Sequence, residues 1–194
     1  MKKSIIAFIS LITLCIEPLM ASAEFSFKKY QVENGLSHNT TWCAIQDSYG
    51  FLWIGTSNGL NCYYGSGNKI YRNVLNDKYS LGNNFVSSLM EEGEDLWIGT
   101  SSGLYIYDRS DDHFLYFDKT TKYGVFISCE VKKIVKTKNG LIWIATLGQG
   151  IFIYDPAKDV LTQNSIRTFF AWDICQGLSL IHISEPTRLQ LISY

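Results

Sequence analysis

Short apolar stretches alternate along most of the chain with clusters of small and polar residues. The stretches are rich in Val, Ile, Tyr, Trp and Phe, and Gly, Asn, Asp and Ser separate them. Such stretches bounded by turn formers predict β-strands. No long segment shows the 3.6-residue apolar period of an amphipathic helix. The pattern therefore predicts an all-β protein.

One phrase occurs three times along this pattern. Its copies are LWIGTSNGL at residues 52–60, LWIGTSSGL at 96–104 and the looser IWIATLGQGI at 142–151. Trp53, Trp97 and Trp143 recur at intervals of 44 and 46 residues. A period of roughly 40–50 residues with short strands is typical of four-stranded propeller blades. We therefore predict a β-propeller with three four-stranded antiparallel blades and the start of a fourth.

The strands follow from the apolar stretches within each copy. The repeats are predicted at about 32–74, 76–117 and 124–162, with an incomplete one from 163. The predicted strands are 41–46, 52–56, 60–64 and 69–74 in the first copy, 85–90, 96–100, 104–107 and 114–117 in the second, and 131–136, 142–146, 151–154 and 160–162 in the third.

Tryptophan and glycine hold the structural repeat positions. Glycine suits the tight turn between the second and third strands, where a positive φ is required. The tryptophans are expected to fill the wedge between neighbouring sheets, each contributing on the order of 3 kcal/mol. A stacking platform for a sugar is the alternative, but three copies at one position favour packing. The positions are Trp53, Gly55, Gly59, Trp97, Gly99, Gly103, Trp143 and Gly150.

The N-terminus has the order of a secretory signal peptide. Two lysines precede an apolar run over 5–16, and Ala21-Ser22-Ala23 supplies a small-residue cleavage site. We therefore expect residues 1–23 to be removed and the chain to be exported. A buried strand or helix is an alternative, as is a membrane anchor, although Glu17 and Pro18 interrupt a run shorter than the ~20 residues that a bilayer requires.

Charge and cysteine spacing exclude several functions. The net charge is -1 and the lysines are scattered among acids, so nucleic acid is not an expected partner. Outside the predicted signal peptide, Cys43, Cys62, Cys129 and Cys175 can pair in an oxidising compartment. Their spacing contains no C-x-x-C metal or redox motif. Cys62 stands where the other copies carry isoleucine, and we predict that it is a small core residue.

The acidic residues do not form a catalytic pattern. Glycoside hydrolysis requires two carboxylates that converge on one bond, whereas these acids lie in predicted turns or directly after a strand, where they form turns. His38 and His113 are expected to be solvated loop residues. We predict no catalytic residue, no metal and no cofactor. The acids concerned are Asp47, Asp95, Asp108, Asp111, Asp112 and Asp155.

Some aromatic residues depart from the repeat. Trp42, Tyr49, Tyr64, Tyr79 and Tyr123 lie in or near predicted loops, where amphipathic rings suit the faces of sugars. Each is equally consistent with packing between blades. The ligand-binding residues are therefore unknown from the sequence.

The repeated phrase resembles the two-component regulator propeller repeat. The matching segments are DSYGFLWIGTSNGL at 47–60, DLWIGTSSGLYIYD at 95–108 and GLIWIATLGQGIFIYD at 140–155. The opening F-x-x-Y-x-x-x-x-G-L-S-x-N at 27–39 is similar to the start of such sensors. The resemblance covers about residues 25–177.

The resemblance implies a partial sensor propeller over residues 24–177. It implies the periplasmic part of an inner-membrane hybrid two-component histidine kinase of the Bacteroides type. It further implies a carbohydrate or oligosaccharide ligand, additional propeller blades and a homodimer in the full-length parent. The alternative is a secreted carbohydrate-active propeller enzyme or a protein-interaction scaffold.

The last residues break the repeat. Gly177 precedes the place where another L-W-I-G-T is expected, but LSLIHISEPTR follows at 178–188. This string resembles the conceptual translation of a transposase-end sequencing adapter. We expect residues 178–194 to be such an artefact, with no function for His182 or Glu185. A divergent strand at 178–183 is the alternative.

Overall fold

The computed structural model describes residues 29–65 and 67–164. The predicted signal peptide at 1–23, Cys175 and the adapter-like tail at 178–194 lie outside the described residues. The incomplete fourth repeat from 163 is described only as far as Asn164.

Over the described residues, twelve strands form three four-stranded antiparallel sheets, which confirms the predicted all-β propeller class. Consecutive strands pair within each sheet in chain order. A short 3-10 turn, Val32–Asn34, precedes them. The first sheet contains β1 (Thr41–Gln46), β2 (Leu52–Thr56), β3 (Gly59–Tyr64) and β4 (Gly67–Tyr71); the second contains β5 (Val86–Glu92), β6 (Asp95–Thr100), β7 (Gly103–Asp108) and β8 (His113–Tyr116); the third contains β9 (Val131–Lys136), β10 (Ile142–Thr146), β11 (Gly150–Asp155) and β12 (Val160–Gln163).

A threonine and a glycine shape the hairpin between the second and third strands of each sheet. Gly59 and Gly103 both have φ 125°, as the sequence predicts for this turn. The buried Thr56 hydroxyl donates to the Gly59 carbonyl at 2.9 Å, and Thr100 does the same for Gly103 at 2.9 Å. Thr146 repeats this contact in the third sheet. The threonine therefore closes each hairpin from inside.

The three sheets stack face to face and meet along their first strands. β1 contacts β5, and β5 contacts β9. Within the described part of the chain, the fourth strands share no comparable contact. The sheets therefore diverge outwards as blades do, with β1, β5 and β9 innermost.

Two hydrophobic cores fill the spaces between the sheets. Trp53, 1% exposed, lies in the core between the first and second sheets, and Cys62 lies beside it as the sequence predicts. Trp97, 3% exposed, holds the same place between the second and third sheets. Trp143 is only half-buried, beside Ala145 and Ile151. The third tryptophan lies on the face of the third sheet that has no described neighbour.

Gly55 and Gly99 allow neighbouring sheets to approach closely. A Cβ atom on Gly55 would lie 2.7 Å from Cγ1 of Val86 on β5 and would also collide with the Cys43 thiol. A Cβ atom on Gly99 would lie 2.8 Å from Cγ1 of Val131 on β9. Both glycines therefore face the first strand of the next blade. The third copy has Ala145 at this position.

Local predictions differ from the structure at several positions. Asp95, expected in a turn, begins β6. β4 ends at Tyr71 instead of residue 74, because Asn73 turns towards the second blade: its backbone N–H donates to Asn84 Oδ1 at 2.7 Å and its side chain donates to the Leu81 carbonyl at 3.0 Å. His113 is not a loop residue. It begins β8 and stacks on Tyr79 with a centroid distance of 4.4 Å.

Candidate ligand site

A cleft of about 440 Å³ opens between the first and second blades. It lies where the β1–β2 turn of the first blade faces the β7–β8 turn of the second. The first blade contributes aromatic side chains and the second contributes mostly polar ones. The principal lining residues are Tyr49, Phe51, Trp53 and Tyr64 on one side and Glu94, Tyr107, Arg109 and Ser110 on the other.

The aromatic wall combines buried and exposed rings. Trp53 forms the inner part and stacks on Tyr71 with a centroid distance of 5.9 Å. Phe51 and Tyr64 form the outer part, edge to face at 6.2 Å. Tyr49 and Tyr64 are 55% and 43% exposed. The outer wall is therefore an open aromatic surface that continues into a buried one.

Arg109 holds the two blades together beside the cleft. Its Nη1 donates to Asp47 Oδ2 of the first blade at 2.8 Å. Its Nε donates to the Glu94 carbonyl at 2.9 Å, and Nη2 lies 3.4 Å from Glu91 Oε1. The guanidinium also lies 4.7 Å from the centre of the Tyr49 ring. One cation thus contacts two carboxylates, a carbonyl and an aromatic face.

Asp47 has a second role besides the predicted turn. It accepts from the backbone N–H groups of Tyr49 at 3.1 Å and Phe51 at 2.8 Å, as a turn former does. It also accepts from Trp53 Nε1 at 2.7 Å. Burial opposes its ionisation, but the hydrogen bonds from Trp53, Arg109 and Phe51 outweigh burial, so the pKa of Asp47 is lowered. The carboxylate is therefore charged at neutral pH.

The inner end of the cleft contains hydroxyl groups and a thiol. The hydroxyls of Tyr71 and Tyr107 each donate to Asp112 Oδ1 at 2.7 Å. Burial, together with the Asp112 contact, raises the pKa of Tyr107 to about 12. Burial and the nearby Asp47 charge raise the pKa of Cys62 to about 11. The hydroxyls of Tyr71 and Tyr107 and the Cys62 thiol are therefore protonated at neutral pH.

At the rim, Glu94 accepts a hydrogen bond from the Tyr49 hydroxyl. This hydrogen bond and the negative charge of Glu94 raise the pKa of Tyr49. Glu94 itself is exposed. It is the carboxylate of the cleft that faces solvent, since Asp47 is buried.

The structure brings together two of the five aromatic residues singled out by sequence, Tyr49 and Tyr64. Trp42 lies elsewhere, donating to Ser57 Oγ at 2.9 Å and packing on Phe85. Tyr79 stacks on His113, and Tyr123 is 81% exposed outside the cleft. Phe51, Glu94 and Arg109 were not singled out by sequence. The sequence offers one signal for Phe51 and Arg109: the other copies of the repeat carry no phenylalanine and no arginine at the matching positions.

The described residues contain no group of three or more His, Cys, Asp or Glu side chains that could hold a metal ion. Their cysteines, Cys43, Cys62 and Cys129, are free thiols. His38 accepts a hydrogen bond from the Thr40 backbone N–H at 2.9 Å through Nδ1. Over the same residues, no helix has the length and apolar character needed to cross a membrane.

Three diverging four-stranded sheets define a segment of a β-propeller. Residues 35–58 and 80–102 match the model of the two component regulator propeller, which confirms the resemblance seen in the sequence. The two matching segments lie in the first and second blades, one in each.

A curated relative is histidine kinase P4 of Formosa agariphila. It is 38% identical over 68 residues, which are 35% of this chain and 5% of that protein. The chain thus corresponds to a small part of the relative's length.

Two solved structures from B. thetaiotaomicron have a similar fold. One is the extracellular domain assigned to a hybrid two component system, with a TM-score of 0.68, 23% identity and coverage of 77% of this chain and 22% of that one. The other is the extracellular domain assigned to a one component system, with a TM-score of 0.64, 23% identity and coverage of 77% and 23%. At this identity, the likeness shows the fold.

Proposed function

We propose that the chain is the ligand-sensing propeller segment of a hybrid two-component sensor histidine kinase. The segment lies in the periplasm after export, detects a carbohydrate or oligosaccharide, and performs no chemistry on it. A cytoplasmic kinase of the same protein changes its autophosphorylation in response.

The match of two consecutive blades to the two component regulator propeller carries this proposal. The fold shared with the extracellular domain of a hybrid two component system supports it. So does the similarity to a histidine kinase. The aromatic cleft provides a surface of the type that binds sugar rings.

The intact gene provides the first test. We expect its reading frame to continue through further blades into a membrane helix and a kinase core, with L-W-I-G-T in place of the string at 178–188. A frame that ends soon after the propeller would instead favour a secreted enzyme or scaffold. Finding the present tail in an independently sequenced intact gene would show that it is not an artefact.

The biochemical test measures kinase activity in membranes that contain the intact protein. A carbohydrate ligand is expected to change the rate of autophosphorylation and to be recovered chemically unchanged. Release of shortened products by the purified propeller would contradict a purely sensory role.

A further inference from the structure

We propose that the cleft between the first and second blades binds one neutral sugar ring. The ring lies with its apolar face on the Phe51–Tyr64 wall and its hydroxyl groups towards Glu94 and Arg109. The proposal rests on the function proposed above and specifies where and how the carbohydrate is held.

The repeat itself provides an internal comparison for the aromatic wall. The second and third strands pair in the same register in each blade: Leu52 with Tyr63, Leu96 with Tyr107 and Ile142 with Tyr154. Tyr63, Tyr107 and Tyr154 therefore hold equivalent positions. By this alignment, Phe51 and Tyr64 of the first blade correspond to Asp95 and Asp108 of the second, and Arg109 corresponds to Pro156 of the third. The second interblade space therefore lacks both the outer aromatic wall and the arginine.

The outer rings are thus not a requirement of the fold. Asp95 and Asp108 occupy the same places in the second blade, which has the same strand pairing. At the floor, Cys62 also stands in place of the larger Ile106 and leaves room for a ligand. The space between the first and second blades therefore has exposed aromatic rings where the space between the second and third blades has aspartates.

The charges on the polar wall favour an uncharged ligand. Arg109 is already paired with Asp47 and Glu91, so it offers little attraction to an anion, and Glu94 would repel one. A cation would meet one exposed carboxylate, Glu94, which already accepts a hydrogen bond from the Tyr49 hydroxyl. A neutral ring requires no counter-charge, and its hydroxyl groups can donate to the other oxygen of the Glu94 carboxylate.

The shape of the cleft supports the same ligand class. One wall is aromatic and the other polar, which matches a pyranose ring with an apolar face and a polar edge. The volume of about 440 Å³ is within the range of roughly 300–1,000 Å³ for small-molecule sites. The cleft is open at the rim, so the ring can belong to the end of a longer oligosaccharide.

The test uses the full-length chain and three neutral probes: the methyl glycosides of glucose, galactose and mannose. Binding is measured by saturation-transfer difference NMR and by titration. We expect at least one glycoside to bind and Tyr64→Ala to weaken it about tenfold, the value of one aromatic contact. Tyr64→Phe is expected to retain binding, and Glu94→Gln to weaken it several-fold.

Tyr123→Ala is the matched control, because Tyr123 is another exposed tyrosine and lies outside the cleft. It is expected to leave the affinity unchanged, and the melting temperature of each variant is measured in parallel. Glucuronate and glucosamine, as charged probes, are expected to bind more weakly than the neutral glycosides.

Two results would overturn the site. Failure of all three neutral glycosides to bind at millimolar concentration would do so, as would equal affinity of the wild type, Tyr64→Ala and Glu94→Gln. If the intact kinase responds to a carbohydrate while these variants respond normally, the site is wrong and the sensory function stands. If the kinase responds to no carbohydrate, the proposed function fails separately.

Discussion

At the scale of single residues, Arg109 and Asp47 connect the first two blades through a buried ion pair. The Asp47 side chain is fully buried and the Arg109 side chain is mostly buried. Asp47 also satisfies the indole N–H of Trp53. Among the described residues, the indole N–H groups of Trp97 and Trp143 are buried without a hydrogen-bond partner. The tryptophan of the first blade is therefore fixed in a way that the others are not.

Replacing Arg109 should destabilise the protein. Arg109→Met leaves the Asp47 carboxylate buried without its cation, and breaking such a pair costs about 3 kcal/mol in free energy of unfolding. Urea denaturation followed by tryptophan fluorescence measures the loss. Arg72→Met, at an exposed arginine, is the control and should change stability by less than about 0.5 kcal/mol. Equal losses for the two variants would refute the interblade role.

The lowered pKa of Asp47 predicts a pH dependence. A carboxyl group with a depressed folded pKa stabilises the fold above its unfolded pKa of about 3.9, and this contribution is lost as pH falls through the folded pKa. Asp47→Asn should therefore reduce the free energy of unfolding most at neutral pH. The difference from the wild type should shrink below about pH 4. A difference that stays constant across this range would contradict the assignment.

The glycines on the second strands should resist even a methyl group. Gly55→Ala and Gly99→Ala force Val86 and Val131 of the next blade to move, and overpacking of this kind costs about 1–3 kcal/mol. Ala145→Gly, at the equivalent position of the third copy, is the comparison and should cost less. Thermal denaturation measures all three changes. An increase in melting temperature for Gly55→Ala would show that the contact can relax.

At the scale of strands and turns, a repeated contact joins the second and third blades to the chain that precedes them. Tyr107 and Tyr154 hold equivalent positions and donate to Asp112 and Asp159, each at 2.7 Å. Asp112 also accepts from Lys69 on β4 of the first blade, and Asp159 accepts from Lys119 in the segment between β8 and β9. In the second blade, the turn between the third and fourth strands therefore serves as an interblade link. The two aspartates have φ 59° and 53°.

Asp112→Asn tests this link without changing the backbone preference, because asparagine also tolerates the left-handed conformation. The substitution removes the charge that Tyr71, Tyr107 and Lys69 contact. We expect a loss of about 1 kcal/mol, reduced by solvent screening. Asp159→Asn should cost less, since among the described residues one tyrosine donates to Asp159 and two donate to Asp112. Urea denaturation measures the free energy of unfolding of both variants. Equal losses for Asp112→Asn and Asp159→Asn would argue against a stabilising role of the second tyrosine at Asp112.

The strand pattern was predictable because it depends on local sequence. The strands, their hairpin glycines and the burial of Cys62 all follow from residues close in the chain or from the repeat period. Arg109 was not predicted, because its partner Asp47 is 62 residues away and the other copies have no such pair. The cleft was missed for the same reason: its aromatic wall and polar wall belong to different blades.

The aliphatic residues that precede each sheet were missed as well. Leu36, Leu81 and Ile127 are buried. They stand outside the predicted strands, in segments whose polar neighbours indicate loops. They are buried because neighbouring blades stack on them. The pattern of apolar residues within one strand does not predict such contacts.

At the scale of the whole molecule, the outer faces of the first and third sheets contain unpaired polar groups. On the first sheet, a cavity of about 450 Å³ is lined in part by Tyr30, Tyr63 and Asn68. Within the described residues, the Tyr63 hydroxyl and Asn68 Oδ1 are buried without a hydrogen-bond partner. The Trp143 indole on the third sheet is in the same condition. Neighbouring blades in a larger ring would supply partners for such groups.

Expressed alone, residues 29–164 should therefore self-associate. The outer faces of the first and third sheets have no described neighbour, and large apolar side chains such as Val160 are exposed on the chain. Exposed apolar surface favours association. Analytical ultracentrifugation is expected to show species larger than the monomer that increase with concentration. A monomer at all concentrations with a sharp, concentration-independent melt would contradict this expectation.

The position of the aromatic cleft has a mechanical consequence. Its walls belong to two separate sheets, so any molecule inside it acts as a spacer that sets the angle between them. Only a molecule that fits one angle better than another can shift the balance between the two. Arg109, bonded to both sheets at the edge of the cleft, would serve as the pivot.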